Sequence, residues 1–286
     1  RASPVLDHAS QIVPLTASRR YVRGDAARQS VHVKIDTGMG RLGVRPDELA
    51  ALLQTLRLHP QLTLDGLMTH LACADGDPAI SVDQLRRFDA ASADVAAHGF
   101  SPSIRHAANS AAMLRFRNAQ LDAVRPGIAL FGVHPSPANA SEGRRVAKLR
   151  PVMRVLRRVA ALRDIPAGED IGYGHSWRAS RPSRIATVPM GYADGLSRSL
   201  SNRGAMLVCG RRAPIVGAVS MDLTMIDVTD IPGVCLADEV VVLGEQRGRL
   251  GEDCISADEI AGWSDTIAWE ALTSISRRVP RFFRHP

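Results

Sequence analysis

Lysine is almost missing from this chain. Only Lys34 and Lys148 occur in 286 residues, and the rest of the basic side chains are arginine. Long apolar runs are missing too, so nothing offers the ~20 residues that a bilayer span requires. No secretory signal opens the sequence, which sets the expectation of a cytoplasmic protein. The four cysteines, Cys73, Cys209, Cys235 and Cys254, show no C-x-x-C spacing. That excludes a metal knuckle or redox pair of the usual kind and suits a reducing compartment. Aromatic residues make up 4%, too few to interleave with base stacking. The net charge of +7 is spread over scattered arginine pairs such as Arg157-Arg158 and Arg277-Arg278. It reads as a solvated basic surface, and nucleic acid is excluded as a partner.

What is present begins with Lys34 to Gly43, K-I-D-T-G-M-G-R-L-G. An alternating apolar run, Val31-His32-Val33, leads into three glycines, Gly38, Gly40 and Gly43. Such a transition lets backbone approach a ligand or take positive φ. It brings Lys34, Asp36 and Arg41 to one strand end, where buried charge is unfavourable unless paired or used. Taken alone, a structural ion pair beside a turn and a binding site explain it equally.

The pattern predicts a strand at 11–16, another at 31–36, a helix opened by Pro46-Asp47-Glu48, and a strand from Leu64 to Leu71. Leu49, Leu52, Leu53 and Leu56 form the apolar face of that helix. A second helix is expected over Ser81 to His98, with Val82, Leu85, Phe88 and Val95 on one side. Short strands at 103–106 and 121–124 follow, then the apolar segment 128–131. Strand and helix alternation with polar residues at strand ends is the pattern of a (β/α)8 barrel. Five strand-like units are present rather than eight. The stretch 135–150, rich in Pro, Ser, Ala, Asn and Gly, marks a domain boundary, drawn at 142/143. Beyond it lie short β-branched runs, 152–155, 159–162, 185–188, 205–208, 215–216, 224–228 and 240–243, as in an all-β domain. Helices are expected over 257–263 and 266–274.

Further along stand His70 in M-T-H-L, Asn109-Ser110 in H-A-A-N-S-A, and Arg125-Pro126-Gly127-Ile128. Then come Gly172-Tyr173-Gly174, Gly191-Tyr192-Ala193-Asp194-Gly195 and Ser220-Met221-Asp222. This ordered set, from about Val31 to Arg281, resembles the alanine racemases, fold-type III enzymes that use pyridoxal 5'-phosphate. The resemblance implies an incomplete (β/α)8 TIM-type barrel domain over 1–142, followed by a C-terminal β-domain over 143–286. It implies two-base racemisation of L- and D-alanine, supplying D-alanine for cell-wall synthesis. A small amino acid is the implied substrate, and the implied assembly is a head-to-tail homodimer with shared sites.

Roles follow residue by residue from the same resemblance. Ser110, with the backbone of Gly127 and Ile128, would cradle the phosphate, beside Asn109. An Asn-Ser pair is also an ordinary helix cap, and the two readings are compatible. Arg125 would anchor the pyridine nitrogen as a donor that keeps its proton. His70 would lie beneath the ring and help orient Arg125. Arg41 would clamp the substrate carboxylate, which suits a forked donor. Lys34 is the candidate for carbamylation, the new anion holding that arginine. Tyr173 would be one catalytic base, delivered from the partner subunit. Tyr192 and Asp222 would line the path by which substrate enters, and Met221 would offer its backbone N–H to the carboxylate. No metal is implied. Near the end, S-I-S-R-R-V-P-R has Arg277 where the family often has tyrosine, which leaves substrate breadth open.

The family's Schiff-base lysine lies upstream of the glycine-rich stretch, in a V-K-A-N-A-Y-G-H-G-like segment that has no counterpart here. The expectation is an N-terminally truncated chain that is inactive alone. A serine or broader-specificity racemase would share every residue above. A non-catalytic PLP-binding protein resembles the barrel alone, and Tyr173 and Tyr192 argue against it. An inert remnant is the remaining alternative.

Overall fold

The computed structural model describes residues 3–17, 28–135 and 148–284. The boundary expected at 142/143 lies outside the described residues. The chain divides into two units, 1–130 with 134–149, and 131–133 with 150–286.

The first unit is a parallel sheet with helices. Its strands β1 (Val5–Leu6), β2 (Gln29–Lys34), β3 (Leu62–Met68) and β4 (Ile104–His106) pair in chain order. A single parallel bridge from His106 to Ala123 extends the order by one line. The helices α1 (Ile12–Thr16), α2 (Leu49–Arg57), α3 (Pro78–Ala97) and α4 (Ser110–Arg115) fall between and after the strands. In α2, Leu49, Leu52, Leu53 and Leu56 are all buried and join Val31, Val33, Ile35 and Leu67 of the strands. Each leucine taken out of water contributes about 1.5–3 kcal/mol.

Several expectations give way here. Residues 11–16 form helix rather than strand; the first parallel strand is Val5–Leu6. A 3-10 turn over Ala9–Gln11, capped reciprocally by His8 and Gln11, leads into the helix, and Pro14 falls in the helix's first turn, where a missing N–H is tolerated. The second α2 boundary signal also shifts: Pro46 to Glu48 form a turn and the helix begins at Leu49. Val82 is exposed. In α3 the inward positions are Ser81, Gln84, Leu85, Phe88, Ala91 and Val95, and Val82 is out of phase with that 3.6-residue period. Residues 121–124 make only the one bridge, and Ile128–Phe131 is a 3-10 turn.

The second unit is all antiparallel sheet with two short helices. Its strands are β5 (Val155–Arg158), β6 (Ala161–Ile165), β7 (Asp170–Ile171), β8 (Trp177–Arg178), β9 (Ser183–Val188), β10 (Ala205–Val208), β11 (Arg211–Pro214), β12 (Thr224–Asp227), β13 (Glu239–Gly248) and β14 (Gly251–Ile255). One sheet runs β11-β10-β13-β14 with β5 also on β13, another runs β12-β9-β6, and β7 and β8 form a hairpin. Helices α5 (Ala257–Trp263) and α6 (Ala268–Thr273) follow. Ile260 and Trp263 of α5 pack on Leu207, Val241 and Ile255. The strand expected at 215–216 is instead β11, one turn earlier, with Ile215 making a lone bridge to Ile226. The pair β7–β8 and the strand β14 went unread, because their sequences carry little β-branched alternation.

Candidate active site

The glycine-rich stretch leaves β2 at Lys34 and folds back on it. Asp36 N–H donates to Val44 O and Val44 N–H to Lys34 O. Gly43 sits at φ 127, and a Cβ there would meet Asp36 N at 2.6 Å, so the return is open only to glycine. The Asp36 carboxylate accepts from the N–H groups of Gly38, Met39 and Gly40 at 2.9–3.1 Å. Burial works against its charge, but the amides of Gly40, Gly38 and Met39 outweigh it and hold its pKa below the usual carboxylate range. Asp36 therefore builds the turn, and the ion pair with Lys34 does not form. Lys34 itself is buried, and its pKa is lowered by that burial and by the Arg41 guanidinium. The Arg41 side chain is exposed.

A buried polar network ties this turn to the end of β3. Thr37 and Thr69 hydroxyls meet at 2.7 Å, and Thr69 donates to Ile35 O at 3.0 Å. Gln84, reaching in from α3, donates to Thr37 Oγ1 and to His70 O, and accepts from Ala72 N–H. Such a satisfied network fixes strand ends relative to each other. His70 stands just past β3, half-buried, its pKa lowered by burial and then by Arg125.

After β4 the chain enters α4. Asn109 caps it, accepting from Ala112 N–H at 3.0 Å. Ser110 is buried, and its hydroxyl accepts from the N–H groups of Gly127 at 2.8 Å and Ala129 at 3.3 Å. The second amide is thus that of Ala129, one residue beyond Ile128. A Cβ on Gly127 would lie 3.9 Å from Ser110 Oγ, an ordinary van der Waals contact.

Arg125 is held by four contacts. Its Nη1 donates to His106 Nδ1 at 2.6 Å and to His106 O at 3.0 Å; its Nη2 donates to Thr69 O at 2.6 Å and Ala107 O at 3.1 Å. A guanidinium has five N–H donors. Both Nη groups are committed to protein acceptors, so among the described residues the Nε–H is the donor left over. The partner that orients Arg125 is therefore His106 rather than His70. His106 was legible inside H-A-A-N-S-A but was not singled out.

The second-unit motifs converge separately. Tyr173 lies in a 3-10 turn between β7 and β8 with its side chain 76% exposed. The loops of Tyr192 and Met221 are bound backbone to backbone: Tyr192 N–H donates to Ser220 O and Ala193 N–H to Met221 O, each at 3.0 Å. Arg278 donates to Asp222 at 2.6 Å and lies 3.6 Å from Asp194. Arg277 is exposed. Among the described residues no cluster of side chains could hold a metal ion, and no helix is long and apolar enough to cross a membrane.

A parallel α/β unit with an arginine, a serine-bound amide pair and a buried lysine at its strand ends, joined to a β unit that exposes a tyrosine between glycines, defines an amino-acid racemase. Two family profiles match, "Alanine racemase, N-terminal domain" over 1–135 and "Alanine racemase, C-terminal domain" over 152–283. The alanine racemase of Sorangium cellulosum is 58% identical, over 99% of this chain and 73% of its own length. That of Desulfosudis oleivorans is 44% identical, over 93% of this chain and 69% of its own. Among solved structures, alanine racemase from Bacillus anthracis with bound L-Ala-P matches with a TM-score of 0.87 at 35% identity, covering 98% of this chain and 70% of that one. Alanine racemase from Bartonella henselae with covalently bound pyridoxal phosphate matches with a TM-score of 0.78 at 30% identity, covering 98% of this chain and 72% of that one. The chain belongs to the alanine racemase family.

Proposed function

We propose that the protein interconverts L- and D-alanine with pyridoxal 5'-phosphate, and that the residues gathered at the first unit's strand ends hold that cofactor. The observation that carries this reading is the fixed guanidinium of Arg125, with one N–H uncommitted, on the same unit as the Ser110 cradle. The donors suit the group: the Ser110 hydroxyl, held by two amides and with its own O–H left to give, for a phosphate, and an N–H for a ring nitrogen. When bound, the cofactor supplies an electron sink that acidifies the substrate Cα–H. Arg125 keeps its own proton and so leaves the ring nitrogen unprotonated. Arg41 binds the substrate carboxylate, helped by the Met221 N–H of a second copy of the chain. Tyr173 moves a proton at Cα on one face; the other face would be served by the family's Schiff-base lysine, a role given to neither Lys34 nor Lys148. Tyr192 and Asp222 line the approach.

The exposure of Tyr173 supports its use by a second copy of the chain, in a head-to-tail homodimer with shared sites. Domain limits near 142/143, a cytoplasmic location and a role in D-alanine supply complete the reading. The depressed Lys34 amine supports carbamylation, because the neutral amine is the form that attacks carbon dioxide. Mass spectrometry under gentle conditions should find the added carboxyl; a bare ammonium in density would remove it. Polarimetry of the full-length protein with cofactor and L-alanine should show loss of rotation. Retained rotation, with cofactor bound, would contradict the function.

A further inference from the structure

His106 does not stand alone behind Arg125. Its Nε2 lies 2.9 Å from His32 Nδ1, and the two rings meet edge-on with centroids 5.1 Å apart. The protons on this chain can be placed by elimination. A guanidinium only donates, so His106 Nδ1 accepts from Arg125. A neutral imidazole then carries its proton on Nε2, which donates to His32 Nδ1. His32 in turn carries its proton on Nε2. Burial, then the charge of Arg125, then His32 push the His106 pKa down to about 4, so the ring is neutral near pH 7, as the scheme needs.

The strands make room for this pair deliberately. The β2–β3 register slips between Val31 and His32, so Val31 faces Leu64 while His32 faces Gly66. Without the slip His32 would face Asp65. A Cβ at Gly66 would lie 2.3 Å from His32 Nδ1. The bulge thus places the one residue without a side chain beside the ring.

We propose that His32 is a positioning residue for racemisation: by accepting from His106 Nε2 it joins Arg125 in holding the His106 tautomer whose Nδ1 receives the guanidinium. Its activity arm rests on the function proposed above; its tautomer arm does not. The test is nitrogen-15 NMR of histidine-labelled protein at pH 7, without and with cofactor. His106 should show an unprotonated Nδ1 and a protonated Nε2. His32→Asn keeps an acceptor near the same place and should preserve that pattern. His32→Leu should mix the tautomers and lower kcat on the order of tenfold, the loss of one buried partner, with KM little changed; His32→Asn should recover most of it. A protonated Nδ1 on His106 in the unsubstituted protein overturns the proposal without any variant. So does a His32→Leu protein with unmixed tautomers and unchanged kcat. A protein with the expected tautomer but no racemisation would instead count against the proposed function alone.

Discussion

The two units solve opposite electrostatic problems. At the strand ends of the first, Lys34, His70, His106 and Arg125 crowd together, and burial lowers the pKa of each. Of the carboxylates that act on Lys34, Asp7 and Asp36, Asp36 is spent on three backbone amides. In the second, charges lie outside in matched pairs such as Arg203–Asp265 and Arg178–Asp170, and the aromatic residues of interest are left open to solvent. Unpaired buried cations are unfavourable in isolation and reasonable beside an anion. The contrast supports the proposed division, in which one unit receives a negative ligand and the other presents exposed side chains.

That contrast can be broken at several points. The largest effect is expected from Tyr173→Phe, which should lower racemisation about 10²–10⁴-fold, the range for a lost acid–base group. Because the ring is 76% exposed, the melting temperature should stay put; a large drop would show a structural role. Leu53→Ala, in the fully buried row of α2, should destabilise by about 2–5 kcal/mol in denaturant titration.

Acid should act on the first unit in a defined window. His106 is held near about 4 in the fold against an ordinary 6.5. The unfolded chain takes up its proton first as pH falls, so the contribution of His106 is complete above 6.5 and is lost toward 4. Its size is about 3 kcal/mol, read as the change in unfolding midpoint between pH 7 and 4. His106→Gln should flatten that dependence. The smallest effect is expected on the second unit's surface. Arg212 bridges Asp253 and Glu259 and donates to Cys254 O, and these carboxylates are partly exposed. Arg212→Ala should lower stability by about 1 kcal/mol after screening, less in high salt.

Much of this was legible beforehand, for identifiable reasons. Leucines at 49, 52, 53 and 56 announce a helix because the period is clean and long. Asn109 reads as a cap because its side chain competes for backbone donors. Residues 11–16 misled because a short apolar run with a proline suits strand and helix alike, and the deciding cap lies upstream at His8. Gly66 was invisible, since its meaning comes from a register slip on the neighbouring strand. His106 and His32 lie 74 positions apart. No local pattern joins them, and only the parallel pairing of β2, β3 and β4 does.

Tyr173 is proposed to act as one of two bases on opposite faces of the substrate. Deuterium incorporation at Cα by the Tyr173→Phe protein in heavy water, followed separately from L- and D-alanine, tests it most directly. The account predicts that one enantiomer still exchanges with retention while racemisation is lost. Equal exchange from both enantiomers, with racemisation intact, would contradict it.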